Sequence, residues 1–353
     1  MGNVDGLEHG AIVGRQERLR KRVRFLQSRR IRTLYIGSMK ILITGATGKV
    51  GSRLANRLAG QGHHVKALVR DSARSAALLG NQIELVEGDL LNPDSLVLAV
   101  QGTAAVVHCA AFFRGATPEQ AHAVNERGTQ HLASAARYAN VERFLFLSTG
   151  LTYGPNGGRL ADEDDACNPV DAYPLSKLAA EKMLLGMEGV DVRILRLPFV
   201  YGDGDPHIEE AIPFMRGFPS SQRMSIGQHV DVAQAVSRLL DAASPSHRIY
   251  NVVDDEAPEL ATLFAAVGQS PPDGTMAERA LAFSALLDGR RIREDLKFKP
   301  AFPRGGCDQG KCLAPSLARV GRAAGLRCEH RLENRRNYRT GQGEGICLVA
   351  ALL

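Results

Sequence analysis

A short apolar run, Ile41-Leu42-Ile43, leads within two residues into three evenly spaced glycines, Gly45, Gly48 and Gly51, and this juncture constrains the fold more than any other stretch. An unbroken aliphatic run of this length suits a parallel strand covered on both faces. Gly45 permits a tight turn, Gly48 lets backbone approach a pyrophosphate, and Gly51 allows a helix to pack closely on the strand. Residues 52–59 have helix-forming composition, so the first N–H groups of that helix and its dipole face the phosphates. A glycine pattern alone says little. Placed between a strand and a helix, it reads as a dinucleotide cradle.

The 353 residues allow one large or two modest domains, and 44% hydrophobic with 23% charged residues is ordinary globular composition. The formal charge of +6 is unevenly spread, with a basic run from Arg15 to Arg32 and a second in the carboxyl tail. Such a run can serve as a nucleic-acid arm or a targeting peptide. It lacks aromatic or groove-reading elements, so residues 1–38 are expected to be a disordered extension and no nucleic-acid partner is expected. No apolar run reaches the roughly 18 residues needed to span a bilayer, and no signal-peptide core is evident. A cytoplasmic protein without a membrane partner is therefore expected. Cys307, Cys312, Cys328 and Cys347 fall in the tail with His330, but no C-x-x-C pair occurs and no metal is expected. Residues 304–353 match nothing recognisable. Cys109, at the end of an apolar strand, is expected in the core.

From the glycine turn to residue 150, strand and helix signals alternate, the pattern of a doubly wound parallel sheet with helices on both faces, a Rossmann-like α/β fold. The second strand, 64–69, ends at Arg70. An acid at this strand end would bind the ribose 2′-hydroxyl of NAD, whereas an Arg pairs with a 2′-phosphate, so NADP is the preferred cofactor. The third strand, 83–87, leads into Gly88-Asp89-Leu90, with Asp89 a plausible adenine contact. The fourth, 104–109, ends in Ala110-Ala111, small enough for a cofactor to lie against backbone. A long helix is predicted over 118–138, then a fifth strand closing on Ser148-Thr149.

Tyr173-Pro174-Leu175-Ser176-Lys177 opens another helix, and the spacing of four puts Tyr173 and Lys177 on one face. Pro174 is tolerable in the first turn. A phenol normally titrates near 10. A neighbouring ammonium, aided by an oxidised nicotinamide, would bring it into range for acid/base work, and a strand-end hydroxyl could hold the substrate oxygen.

These segments form an ordered series, continued by Val124-Asn125-Glu126-Arg127-Gly128-Thr129, Leu147 to Gly154, Arg196 to Gly202 and His229-Val230-Asp231. From about Met39 to Pro303 the chain resembles an extended short-chain dehydrogenase/reductase of the NAD-dependent epimerase/dehydratase family. The resemblance implies cofactor contacts at Gly45, Thr47, Gly48, Lys49, Val50, Gly51, Arg70, Asp89, Leu90, Ala110, Ala111 and Pro198, beside Tyr173 and Lys177. It places the catalytic hydroxyl on Thr149, with Ser148 as the alternative, gives Asn125 a structural role, and implies a homodimer through two long helices. It also implies a small carboxyl-side substrate lobe, formed mainly by about 199–232 and 254–303. Many members acting on nucleotide sugars have Asn where this chain has Phe199. That departure shifts the reading towards a reductase of the dihydroflavonol or hydroxysteroid kind, acting on a carbonyl or hydroxyl of a small molecule. A nucleotide-sugar epimerase or dehydratase is the alternative, with Arg223 or His229 gripping a diphosphate. A non-catalytic NADP-binding sensor or scaffold is the reading from another class.

Overall fold

The computed structural model describes residues 38–75, 82–113, 117–275 and 283–301. The expectations for the two ends of the chain, the tail cysteines included, lie outside the described residues.

The elements follow in chain order. They begin with strand β1 (Lys40–Thr44), helix α1 (Lys49–Gly60), β2 (His64–Val69), β3 (Ile83–Glu87), α2 (Pro93–Val100) and β4 (Ala105–His108). Helix α3 joins the segments Pro118–Ala121, His122–Arg127 and Gly128–Tyr138, and is followed by β5 (Arg143–Thr149), β6 (Leu160–Ala161), α4 (Ala172–Leu185), β7 (Asp191–Leu197) and β8 (Phe199–Tyr201). The remainder is α5 (His207–Met215), β9 (Ile226–Gln228), α6 (His229–Asp241), β10 (Ile249–Asn251), α7 (Leu260–Ala266), β11 (Leu286–Leu287) and α8 (Arg290–Leu296).

Seven strands form one parallel sheet in the order β10-β7-β5-β4-β1-β2-β3. The order reverses between β1 and β4, so the crevice beyond their carboxyl ends is where a doubly wound sheet binds its ligand. The aliphatic run divides between the two faces with the period of two that a strand imposes. Ile41 and Ile43 pack with Leu54 and Leu58 of α1 and Val232 and Val236 of α6. Leu42 points the other way, among Leu96 of α2, Leu132 and Ala136 of α3, and Leu184 of α4. Helix α1 buries Gly51, Leu54, Ala55 and Leu58, one stripe at helical spacing.

The long helix over 118–138 is present but not uniform, because residues His122–Arg127 form a π turn. Such a turn widens the helix locally and is frequent at functional sites. It presents Asn125, whose Nδ2 donates to Phe112 O at 3.0 Å and to Ser176 Oγ at 2.9 Å, while its Oδ1 accepts from Phe112 N at 2.7 Å. Asn125 thus fixes the segment after β4 to the start of α4.

The lobe has its own apolar cluster, in which Tyr201, Ile208, Met215 and Phe218 meet Ile226, Leu260 and Phe264. β8 and β9 pair in parallel as a separate two-stranded sheet, and Tyr201 and Ile226 from it enter this cluster. Among the described residues no helix is long and apolar enough to cross a membrane.

Candidate active site

The glycine turn is built as a cradle. Gly45 has φ +67°, and a Cβ there would stand 2.6 Å from Ala110 N; a Cβ on Gly51 would stand 2.1 Å from Gly45 O. Both positions therefore exclude a side chain. Gly48 N donates to Gly45 O at 2.9 Å, and α1 starts immediately afterwards with neither a side-chain cap nor an acid in its first turn. Its first N–H groups have no acceptor within the helix and carry the positive end of the dipole. This donor set fits a dinucleotide pyrophosphate. Thr47 is exposed at the turn, and Lys49 and Val50 line the cavity beyond it.

Of the other expected cofactor residues, Ala111 lines the cavity, while Arg70, Asp89, Leu90 and Ala110 are not among its lining. Arg70 is exposed at the end of β2. The Asp89 carboxylate accepts from Leu91 N at 2.8 Å, so one oxygen already serves its own loop. Leu90 is buried against Gly128. Ala110 N donates to Thr44 Oγ1 at 3.2 Å, which fixes the strand end beside the cradle, and Ala111 lines the cavity.

Tyr173, Lys177, Ser148 and Thr149 meet in one cavity of about 260 Å³ at the carboxyl end of the sheet. The Tyr173 ring packs edge-on against Phe113, with centroids 4.5 Å apart. Lys177 is 1% exposed, with its Nζ 3.9 Å from the centre of the Phe146 ring. Burial pushes the Tyr173 phenol up and the Lys177 ammonium down to about 7, the latter against the pull of Glu181. The expected lowering of the phenol by Lys177 is not what the protein's own groups produce; desolvation outweighs it.

The two candidate hydroxyls divide cleanly. Ser148 Oγ donates to Glu181 Oε1 in a short hydrogen bond, and the Glu181 carboxylate is held from its other side by Arg196 Nη2 at 2.7 Å. Thr149 Oγ1 accepts from Leu151 N at 3.2 Å, which caps the 3-10 turn Gly150–Tyr153 and leaves its own hydrogen for another acceptor. Thr149 is therefore the hydroxyl available to a ligand.

Pro198, expected to contact the cofactor, and Phe199, expected to contact the substrate, both line the cavity, and Phe199 stacks on His207 at 4.2 Å between centroids. His207 is fixed by its Nδ1 donating to Val200 O at 2.9 Å. Arg223 is not among the lining residues: it is exposed, and its Nε donates to Ala257 O at 3.1 Å, because the chain around it pairs with Glu259 instead of turning inward. His229 is buried one layer behind the wall, with Nε2 2.9 Å from Asp205 Oδ2. Cys109, expected in the core, is only half-buried and lines the cavity.

Sequence reasoning missed Asp205, which lines the cavity and binds Lys49 Nζ at 2.8 Å, and Glu210, 2.9 Å from the same ammonium. The signal was the turn-rich Gly202-Asp203-Gly204-Asp205, two Gly-Asp steps that follow directly on β8. Burial pushes the Asp205 carboxyl up, but hydrogen bonds from His229 and Lys49 and their charges hold it well below the usual range.

A glycine cradle at a sheet switch point thus faces a buried Tyr/Lys pair and a strand-end hydroxyl. The family model described as the NAD dependent epimerase/dehydratase family matches residues 41–252, more than half of the chain, and the protein belongs to that family. Among its relatives, a 3-diazoavenalumate denitrifying reductase of Streptomyces is 28% identical over 300 residues, covering 75% of this chain and 97% of that one. A 3 beta-hydroxysteroid dehydrogenase/Delta 5-->4-isomerase of Mycobacterium tuberculosis is 30% identical over 181 residues, 47% of this chain and 48% of the relative, so that match spans about half of its length. The Bordetella bronchiseptica enzyme WbmG, solved in complex with NAD and UDP, shares the fold with a TM-score of 0.67 at 23% identity, covering 81% of this chain and 96% of that one.

Proposed function

We propose that this enzyme is an NADP-preferring reductase or dehydrogenase that acts on a carbonyl or hydroxyl of a compact, largely apolar substrate. The observation that carries the reading is the cavity wall. Phe113, Phe199, Met215, Phe218, Met224 and Phe283 line it, and its two lysines are Lys49 and Lys177. Lys49 is already held by Asp205 and Glu210. A diphosphate brought up to Lys49 would meet the Asp205 carboxylate and, among the described residues there, find no uncommitted cation, and burying its charge unpaired is costly. An apolar molecule with one carbonyl or hydroxyl oxygen has no such difficulty.

The cradle of Gly45, Gly48 and Gly51 would hold the pyrophosphate, Arg70 the 2′-phosphate, and Lys177 the nicotinamide ribose. The chemistry that a bound nicotinamide supplies is a hydride acceptor or donor and, when oxidised, positive charge near the phenol. Thr149 donates its hydroxyl hydrogen to the substrate oxygen, since its own oxygen is occupied by Leu151 N. Tyr173 gives or takes the proton of that oxygen. Lys177, four residues on and on the same face, supplies the positive charge that favours the phenolate over the buried phenol. By family likeness, α3 and α4 would pair with those of a second copy in a cytoplasmic homodimer; light scattering on the purified chain tests the mass.

Thermal shift with NADP present tests the substrate class. Ketones, aldehydes and their alcohols should raise the midpoint by mass action. A rise of several degrees with a UDP- or dTDP-sugar and none with the carbonyl set would overturn the reading in favour of an epimerase or dehydratase.

A further inference from the structure

We infer that Glu181 is a positioning residue for Lys177: a buried carboxylate, fixed from behind by Arg196 and Ser148, that partly offsets the lost hydration of the ammonium where it faces the cavity. The inference rests on the reading of Tyr173 and Lys177 as the proton-handling pair, and adds to it the group that sets the charge of the lysine.

Tyr173, Lys177 and Glu181 follow one another at intervals of four on α4 and share one face of the helix. Lys177 and Glu181 are each 1% exposed. A buried ammonium in such a site loses its hydration and tends to release its proton unless an anion stands near it. Among the described residues, the titratable groups that bear on Lys177 are few. From β4 come His108 and Cys109, and from α4 itself Tyr173 and Glu181.

His108 is neutral, and its hydrogen bonds say which nitrogen carries the hydrogen. The Thr129 hydroxyl donates to Asn125 O at 2.6 Å, so Thr129 Oγ1 accepts from His108 Nε2 at 2.8 Å, and His108 Nδ1 is left to accept from Thr44 Oγ1 at 2.6 Å. Burial, with Lys177 nearby, holds the imidazole well below its ordinary range. Burial also pushes the Cys109 thiol up to about 12 and the Tyr173 phenol up, so both are uncharged at neutral pH. Among these described neighbours the anion is Glu181.

Glu181 could not play this part if it were free to turn away. Arg196 Nε lies 3.2 Å from each carboxylate oxygen and Nη2 2.7 Å from Oε2, while Ser148 donates to Oε1. Arg196 is in turn anchored on β7 and stacks over the Tyr153 ring at 4.7 Å. A buried ion pair is weak evidence for stability, since apolar residues of the same volume often serve as well. A role in charging Lys177 gives this one a reason to be ionic.

The test reads the Lys177 ammonium directly by side-chain NMR of lysine-labelled full-length protein, with Lys177→Met to assign the signal. Glu181→Gln should lower the Lys177 titration midpoint by about one unit or more, the usual effect of a close opposite charge, and Glu181→Asp should restore most of it. In turnover assays the limb of the pH profile that reports Lys177 should move by the same amount. A folded Glu181→Gln protein with an unchanged midpoint would overturn the inference and leave Glu181 as an anchor for Arg196 alone. Since the single change strands a buried Arg196, the double variant Glu181→Gln/Arg196→Gln removes both charges; a smaller drop is expected there, and no drop again overturns it. The NMR titration needs no substrate, so a shifted Lys177 in a protein whose turnover ignores Tyr173→Phe would refute the proton-handling pair and not the role of Glu181.

Discussion

Lys49 of the glycine turn and Asp205, in the lobe beyond β7, meet at 2.8 Å, and the second Asp205 oxygen binds His229 at 2.9 Å. The pair ties the start of α1 to the lobe, with Glu210 closing on Lys49 and Arg57 binding Asp203 beside it. Asp205 is 2% exposed, so removing its cation leaves a buried charge short of a partner. Lys49→Met should lower the unfolding free energy by about 1–3 kcal/mol, the range for a charged hydrogen bond lost from a buried group. Asp205→Asn in that background should recover part of the loss, as a coupled pair requires. Because the Asp205 carboxyl is held below its ordinary value, this stability is fully present above the usual carboxyl range and fades as pH falls below it. Urea titrations of the four proteins check all three statements; additive losses would mean that the pair is not coupled.

The strand-end Arg70 bears on the choice of cofactor. NADPH should bind more tightly than NADH by about 1.5–3 kcal/mol, the worth of a charge-assisted bond, and Arg70→Ser should erase most of that difference. Calorimetric titration decides it. Equal affinities in the parent protein would remove Arg70 from the 2′-phosphate site.

Tyr173→Phe keeps the ring and its edge-on contact with Phe113 and removes only the hydroxyl. Turnover should fall by about 10² or more, as expected for loss of an acid/base group, with the cofactor dissociation constant within about twofold. Near-normal turnover would exclude the phenol as the proton donor.

Burial of Lys177 has a consequence for stability that can be read without any substrate. Its folded-state pKa is about 7 against an ordinary 10.5. Between those values the unfolded chain holds a proton that the folded protein has released, so this group makes stability rise with pH across that window and contributes no slope below or above it. Lys177→Met removes the term. The difference in unfolding free energy, parent minus variant, should therefore climb from about pH 7 to pH 10.5; a flat difference would mean that the ammonium is not desolvated as its surroundings require.

Much of the fold could be read because its signals are local. An aliphatic run buried on both faces, a glycine turn and a helix stripe each lie within a dozen residues, and Ile41, Leu42, Gly51 and Leu54 needed no knowledge of the rest of the chain. The Tyr173/Lys177 spacing is local in the same way. What escaped is what depends on distant partners. Lys49 looked like part of a phosphate cradle, and nothing nearby announced Asp205 or Glu210. The family resemblance favours Thr149 over Ser148, but the physical reason, Glu181 engaging Ser148, comes from a helix distant in sequence. Arg223 carried the right charge at a plausible place, yet its direction is set by the bridge to Glu259. The π turn at His122–Arg127 leaves no mark in a sequence rich in helix formers.

Phe199 gives the sharpest test of the cavity. Its ring lines the wall and rests on His207, which Val200 O holds in place. Truncating it to Ala exposes that face and removes apolar area from any ligand lying against it. Burying an aromatic or large aliphatic side chain is worth about 1.5–3 kcal/mol, so Phe199→Ala should weaken binding of an apolar carbonyl substrate by roughly ten- to a hundredfold. The cofactor cradle is built by β1 and the start of α1, so its affinity should stay within about twofold. Parallel titrations with NADPH and with the best carbonyl ligand from the thermal screen measure both. If substrate affinity holds while cofactor affinity falls, Phe199 belongs to the nicotinamide pocket, and the apolar wall that recognises the substrate has to be sought among Met215, Phe218 and Phe283 instead.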